Sequence, residues 1–139
     1  MTERNPYRQE MSRFYECCIW GELDKMKILK YLNNYTSFDI RSSDNYPIRL
    51  ACCNGHLDVA KWLTKTFYLN TNDIRSLNNN AFQWACYNEH ILVMEWLLNT
   101  FLTVDDASEM IKAKNVSERV VEWLKNYVSL GDYTKSAVI

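Results

Sequence analysis

The chain has 139 residues, of which 47% are hydrophobic and 24% charged, and its formal net charge is −1. This length suits one domain with a sizeable core, and the composition excludes disordered and collagen-like chains. Three Gly and two Pro argue against an all-β fold, which needs many tight turns. Sixteen Lys and Arg against seventeen Asp and Glu leave no basic excess for binding nucleic acid. We therefore expect a mostly helical, soluble chain without a nucleic-acid partner.

The N-terminal sequence predicts an intracellular protein. Residues 1–6 are polar and lead into no apolar stretch, so they do not resemble a secretory signal. No apolar run approaches the roughly 18 residues that a membrane span requires. We expect a cytoplasmic location, no membrane partner, and five cysteines that remain reduced.

An internal repeat of 34 residues is the most informative feature of the sequence. When residues 36–67 are placed on residues 70–101, 14 positions are identical, including Asp39/Asp73, Arg41/Arg75 and Asn45/Asn79. Chance would give one or two identities in such a window. The repeat indicates a stacked array of similar units.

In chain order, the predicted elements are a short lead-in, four copies of the repeat and a flexible tail. The first copy is recognised by Cys18 and Gly21, which fall on Cys52 and Gly55, and the last by Trp123, which falls on Trp96 at a shift of 27. The predicted boundaries are 1–8 for the lead-in, 9–35, 36–69, 70–103 and 104–128 for the copies, and 129–139 for the tail.

Each copy is predicted to hold two helices and a polar connector. In the second copy, Ile48 and Ala51 belong to a short first helix, residues 54–56 form a turn, and residues 57–67 carry a second apolar face at helical spacing. The connectors, residues 33–45 and 70–80, are rich in Asn, Asp, Ser and Thr. Tetratricopeptide repeats share the period of 34 but leave no room for connectors of this length.

Residues 47–63, PIRLACCNGHLDVAKWL, resemble the ankyrin-repeat core, and residues 80–90 resemble a more worn copy. The variant is similar to arrays encoded by giant DNA viruses of protists. The resemblance covers about residues 9–128. It implies a mostly α ankyrin-repeat solenoid of about four stacked helix-turn-helix units with polar, hairpin-like connectors.

Three residues depart from the family pattern. Tyr46 and Arg49 stand where the family has Thr and His, so the hydrogen bond between those two side chains is absent. Glu89 replaces the turn glycine of the third copy, which we expect to cost about 1 kcal/mol unless a neighbour adopts the left-handed conformation.

Cysteine and histidine could suggest a zinc site, but their spacing favours packing. Cys18, Cys52 and Cys86 share one register, where the family has a small buried residue, and adjacent cysteines on a helix point apart. Cys53 lies at an outward-facing position and is the expected reactive thiol. We interpret the turn residues His56 and His90 as structural. The tryptophans that share one register of the second helices are interpreted as packing residues, namely Trp62, Trp96 and Trp123, and so is Trp84 in a first helix.

No catalytic motif stands out: there is no Gly-x-Ser-x-Gly, no Gly-rich phosphate loop and no His-Glu-x-x-His. We expect no enzymatic activity, no cofactor and no metal. Asp105 and Asp106 are predicted to start the helix pair of the last copy.

The resemblance also implies contact positions for a protein partner, on the connectors and the exposed side of the first helices. Mapped onto this sequence, they are Ser42, Ser43, Asn45, Cys53, Asn54, Ser76, Leu77, Asn79, Tyr87 and Asn88. Tyr87 is the expected anchor, because aromatic residues dominate the energetics of many interfaces.

The leading hypothesis is a non-enzymatic module that binds a protein partner of unknown identity through its concave face, and the viral resemblance suggests a viral protein engaging a host or viral protein. The chain is expected to be a monomer or a weak homo-oligomer. One alternative is a structural protein that self-associates through the array ends, since Met110, Val120 and Trp123 make the last copy apolar. A thiol- or zinc-dependent protein is the remaining alternative.

Overall fold

Pairs of helices follow one another along the chain in a computed structural model that describes the backbone of residues 6–137 and the side chains of residues 11–131. The first helices of the four copies are α1 (Pro6–Trp20), α3 (Ser37–Cys53), α6 (Ser76–Tyr87) and α8 (Val104–Ile111), and a short helix, α5 (Thr71–Ile74), precedes α6. The second helices are α2 (Leu23–Asn33), α4 (Leu57–Thr66), α7 (Ile91–Thr100) and α9 (Glu118–Ala137). The first helices α1, α3 and α6 pack side by side, and each packs on its own second helix.

The core repeats with the 34-residue period. Phe14, Ile48 and Phe82 form one fully buried layer of the first helices. Other buried layers follow the same spacing, namely Cys18/Cys52/Cys86, Met26/Ala60/Met94 and Leu63/Leu97. The prediction that Cys18, Cys52 and Cys86 fill the core is therefore confirmed.

The turn inside each of the first three copies needs a left-handed residue. Gly21 and Gly55 adopt φ of +72° and +76° there, and Glu89 adopts +59° in the third copy. Asn88 keeps φ of −95°, so the strain expected at this turn falls on Glu89 itself. The Glu89 side chain accepts a hydrogen bond of 2.7 Å from the Ser117 hydroxyl, which ties the strained turn to the fourth copy.

The connectors are helical turns and not hairpins, since residues 6–137 contain no strand. A capped helical turn, which begins at Ser37 in one copy and forms α5 in the next, leads into three consecutive residues with positive φ. These left-handed turns are residues 43–45 and 77–79, with φ between +53° and +63°. Asp and Asn, which fill four of these six positions, tolerate this conformation better than most L-residues, whereas an extended strand would need negative φ.

The ends of the array differ from the predicted boundaries. Helix α1 begins at Pro6, inside the predicted lead-in, and proline is favoured at the first position of a helix. Helix α9 continues to Ala137, so residues 129–137 of the predicted tail extend the last helix. Residues 1–5 and 138–139 lie outside the described part of the chain.

Candidate protein-binding face

Three aspartates, here called the capping carboxylates, lie in the first turns of α3, α5 and α8. Asp39, Asp73 and Asp106 each accept a hydrogen bond of 2.7–2.8 Å from the backbone N–H three residues earlier. Those earlier residues are the N-caps Thr36, Asn70 and Thr103. Asp106 was predicted to start a helix, and the structure shows that it completes the cap made by Thr103.

Asp73 also binds the preceding copy. Its Oδ1 accepts hydrogen bonds from Nε of Arg41 at 2.9 Å and from Nδ2 of Asn45 at 3.4 Å, while Asn45 also donates to Ser76 at 2.8 Å. Burial alone would raise the pKa of Asp73, but the hydrogen bonds from Arg41, Asn70 and Asn45 outweigh it and lower the pKa below its usual value. The carboxylate is thus held in its charged form between two copies.

The same arrangement recurs one copy further on. Arg75 binds Asp106 through two hydrogen bonds of 2.9 and 2.6 Å, and Asn79 donates to Oδ1 of Asp106 at 2.9 Å. Burial of Asp106 would raise its pKa, and the bonds from Arg75 and Thr103 lower it overall. Arg and Asn at equivalent positions therefore fasten each of these first helices to the next.

The left-handed turns are fixed by a long side chain of the helix that follows. Arg49 donates from Nε to the carbonyl of Asp44 at 2.9 Å and from Nη2 to the carbonyl of Ser43 at 3.0 Å. Gln83, which lies 34 residues after Arg49, donates to the carbonyl of Asn78 at 2.7 Å. Arg49 thus holds the left-handed turn of the second copy through two of its carbonyl groups.

The ten predicted contact residues divide by exposure. Ser43, Leu77 and Asn88 are exposed, and Leu77 has 52% of its surface accessible. Six are half-buried, namely Ser42, Cys53, Asn54, Ser76, Asn79 and Tyr87. Asn45 is buried, so its side chain serves the array and is not available to a partner.

Several of the half-buried contact residues already have partners inside the array. Ser76 and Asn79 belong to the polar contacts with neighbouring copies described above, and Asn54 donates to the carbonyl of Leu50 at 2.8 Å. Asn88 donates to the carbonyl of Cys53 at 2.9 Å.

We call the two left-handed turns, with the solvent-facing sides of α3 and α6 beside them, the turn face.

Sequence reasoning misplaced Trp84 and overlooked two other aromatic residues. Trp84 was expected to be packed but is 45% exposed, and its ring meets that of Tyr87 edge-on at 5.6 Å. Phe38 and Tyr68 are 81% and 83% exposed. Their signal in the sequence was weak, because Phe38 falls on Asn72 and Tyr68 on Leu102 in the next copy.

His56, Trp62 and Trp96 occupy structural positions, as predicted. Nε2 of His56 lies 2.7 Å from the carbonyl oxygen of Ile19 in the previous copy, and its ring covers Gly21. Trp62 and Trp96 pack edge-on against Phe67 and Phe101 at 5.7 and 5.6 Å.

Neither a metal site nor an activated thiol is apparent in the part of the chain that the structure describes. No group of three His, Cys, Asp or Glu within these residues could hold a metal ion. Cys53 is half-buried and burial raises its pKa, although a hydrogen bond from Asn88 acts in the opposite direction. The net shift of the pKa is upward for all five thiols, whereas nucleophilic cysteines require a lowered pKa.

Among the described residues, the first copy exposes more large apolar side chains than the last helix pair, in which Leu130 is exposed. Met110, Val120 and Leu124 of the last copy are buried. By contrast, four large apolar side chains of the first copy are between 58% and 87% exposed, namely Trp20, Ile28, Tyr31 and Leu32. The expected apolar end is therefore the N-terminal one. None of the helices among the described residues could cross a membrane.

Helix pairs stacked at a 34-residue period, short turns within each pair and polar connectors between pairs define a helical repeat protein. The family model for ankyrin repeats (3 copies) matches residues 14–109, well over half of the chain. The chain belongs to the ankyrin-repeat family. Searches of curated proteins and of solved structures returned no match.

Proposed function

We propose that the chain is a non-enzymatic module that binds a protein partner through the turn face, on the concave side of the array. Ankyrin repeats generally act as protein-interaction modules, which sets the class of function. We further propose that the binding surface is the turn face, that the partner is a protein and that the chain catalyses no reaction.

The observation that carries the proposal is the conformation and exposure of Leu77. This leucine has φ of +53°, a conformation that costs a non-glycine residue about 1 kcal/mol or more, and 52% of its surface is exposed. An exposed apolar side chain held in a strained turn contributes little to folding. It suits a surface that is shaped for contact, because strained backbone concentrates at functional sites.

Rigidity supports the same proposal. The clamps from Arg49 and Gln83 and the bonds to Asp73 and Asp106 fix both turns before any partner arrives. A surface ordered in advance loses less conformational entropy on binding. Tyr87, beside Trp84, offers aromatic area on α6, the helix that also carries Leu77, and aromatic residues are enriched among the energetically dominant contacts of interfaces.

The test is affinity capture from the natural cell lysate with a wild-type chain and two variants of matched thermal stability. The turn-face variant carries Ser43→Arg, Leu77→Arg and Tyr87→Ala, and the control carries Glu95→Gln and Glu122→Gln on the exposed side of the second helices. Both variants change the net charge by the same amount. We expect one protein to be retained by the wild type and the control and lost by the turn-face variant.

Two other results would contradict all or part of the proposal. Equal capture by all three chains would show that the turn face is not the binding surface, although the chain would still be a binding module. Capture by none of them above a bead control would favour self-association. The cytoplasmic location and the viral source stay predictions from the sequence.

A second candidate function is self-association through the N-terminal end. The exposed apolar side chains of the first copy, such as Ile28 and Leu32, favour it because isolated solenoid ends are normally polar. Light scattering over a range of concentrations would show a rising mass in the wild type and a constant monomer mass in an Ile28→Asp/Leu32→Asp variant. A constant mass in both chains would reject this candidate.

A further inference from the structure

The capping carboxylates are alike in sequence but not in their partners. Asp73 and Asp106 each receive an arginine and an asparagine from the copy before them. Asp39 caps α3 in the same way, with Oδ2 accepting hydrogen bonds from the backbone N–H and the hydroxyl of Thr36 at 2.8 and 3.1 Å. No described side chain donates to Oδ1 of Asp39, which is the atom that takes both Arg41 and Asn45 in the case of Asp73.

Among the side chains that the structure describes, the first copy has no arginine placed as Arg41 and Arg75 are in the later copies. Arg41 and Arg75 both lie just before a left-handed turn, which places them beside the next capping carboxylate. Helix α1 runs from Pro6 to Trp20 as one continuous helix and has no such turn. The position of Asn45 falls on Met11, a buried apolar residue of the first copy. Asp39 therefore remains half-exposed at the N-terminal limit of the polar contacts.

A cleft of about 570 Å³ opens next to Asp39. Binding pockets for small groups typically measure about 300–1,000 Å³. Tyr15 and Tyr46 form part of its wall with their rings 4.9 Å apart, and Ser42 and Ser43 add hydroxyl groups. The cleft thus combines one carboxylate with aromatic surface and small polar groups.

Arg49 also lines the cleft, but its guanidinium already binds other groups of the chain. Its guanidinium bonds to the carbonyls of Ser43 and Asp44 and to Oδ1 of Asn80 at 3.3 Å, and it stacks over the ring of Tyr46 at 5.2 Å. No ion pair joins it to Asp39 among the described residues. Oδ1 of Asp39, which accepts no hydrogen bond from a described side chain, is therefore the atom of this cleft that a ligand can bind.

We propose that this cleft binds an arginine side chain of the protein partner, whose guanidinium takes on Asp39 the place that Arg41 and Arg75 take on Asp73 and Asp106. The inference rests on the proposed function and specifies one contact of that partner. An arginine is the expected occupant because both other capping carboxylates, Asp73 and Asp106, bind an arginine of the preceding copy. Arginine fits better than lysine because its planar group donates in parallel to a carboxylate and stacks on aromatic rings.

The experiment is a titration of the ¹⁵N-labelled chain, followed by NMR, with the capped peptide acetyl-Gly-Gly-Arg-Gly-Gly-amide and its lysine counterpart. Asp39→Asn removes the charge while an amide oxygen can still cap α3. Asp44→Asn is the matched control, because Asp44 is a nearby exposed acid whose left-handed conformation asparagine tolerates.

We expect saturable shifts in the backbone signals of residues 11–15 and 39–46 with the arginine peptide. Affinity should fall by about fivefold with the lysine peptide, and by the same factor in Asp39→Asn, which is the size expected for a half-exposed ion pair, but not in Asp44→Asn. Equal binding of both peptides, unchanged binding to Asp39→Asn, or no saturable shifts in the wild type would each overturn the inference. Ser43 lines the cleft as well as the turn face, but the titration leaves Ser43 unchanged and needs no captured partner, so the capture experiment still decides the proposed function separately.

Discussion

Arg75 donates hydrogen bonds of 2.9 and 2.6 Å to the two carboxylate oxygens of Asp106, which lies 31 residues later in the sequence. The same carboxylate accepts a bond of 2.7 Å from the backbone N–H of Thr103 and so caps α8. One side chain therefore starts its own helix and anchors the preceding copy. Neighbouring copies are coupled through a group that each helix needs for its own beginning.

Asp106→Ala should lower the free energy of unfolding by about 2 kcal/mol, because it removes a helix cap and leaves Arg75 and Asn79 without their acceptor. Asp105→Ala is the matched control, since Asp105 lies in the same first turn but is exposed. It should cost less than about 0.5 kcal/mol. Urea unfolding would measure both, and equal losses would show that only the charge near the helix end matters.

Stability should fall in acid because two capping carboxylates have lowered pKa values in the folded chain. Asp73 and Asp106 are charged when folded and take up protons more readily when unfolded, where their pKa is near 3.8. Their contribution is therefore present above that value and is lost as the pH falls through the lower folded pKa. The loss should begin below about pH 5 and be smaller in Asp73→Asn/Asp106→Asn. Thermal unfolding between pH 7 and pH 2.5 tests this, and parallel curves for the two chains would contradict it.

The period, the helix pairs and the buried cysteine register could be predicted from the sequence because burial repeats every 34 residues. The left-handed turns could not, since their shape depends on Arg49 and Gln83, which reach back to carbonyls five or six residues earlier. The role of Asn45 was missed for a related reason. Its identity with Asn79 was visible, but its partner Asp73 lies 28 residues away and only folding brings the two together.

Gly55→Ala should destabilise the chain by about 2 kcal/mol or more, because residue 55 has φ of +76° and a methyl group there would meet the ring of His90. A Cβ at this position would lie 2.7 Å from Cε1 of His90. Gly131→Ala is the comparison, since no positive φ is required there and its nearest neighbour, Cγ2 of Val104, lies at 3.1 Å. Thermal denaturation should place the Gly131 variant within about 1 kcal/mol of the wild type. Similar losses of unfolding free energy in both variants would show that position 55 does not specifically require glycine.

Cys53 should be the first thiol to react with a disulfide reagent, because it is the only one of the five cysteines that is not buried. Burial raises the pKa of Cys52 and Cys86 to about 12, so these thiols should react only as fast as the chain opens. At pH 8 we expect one slow native phase that Cys53→Ser abolishes, and full reaction of the rest in denaturant. A fast phase that survives in Cys53→Ser would place the accessible thiol elsewhere.

The two ends of the array are held by different forces. Ion pairs join the second copy to the third and the third to the fourth. No ion pair between described residues joins the first copy to the second, where the contacts include Phe14 with Trp62, Lys30 over the ring of Phe67, and the hydrogen bond between His56 and the carbonyl of Ile19. Dissolved salt screens charge pairs, and sulfate strengthens the burial of apolar surface. Added sulfate therefore acts in opposite directions on the two kinds of contact: it weakens the ion pairs of the C-terminal junctions and strengthens the aromatic packing of the N-terminal one.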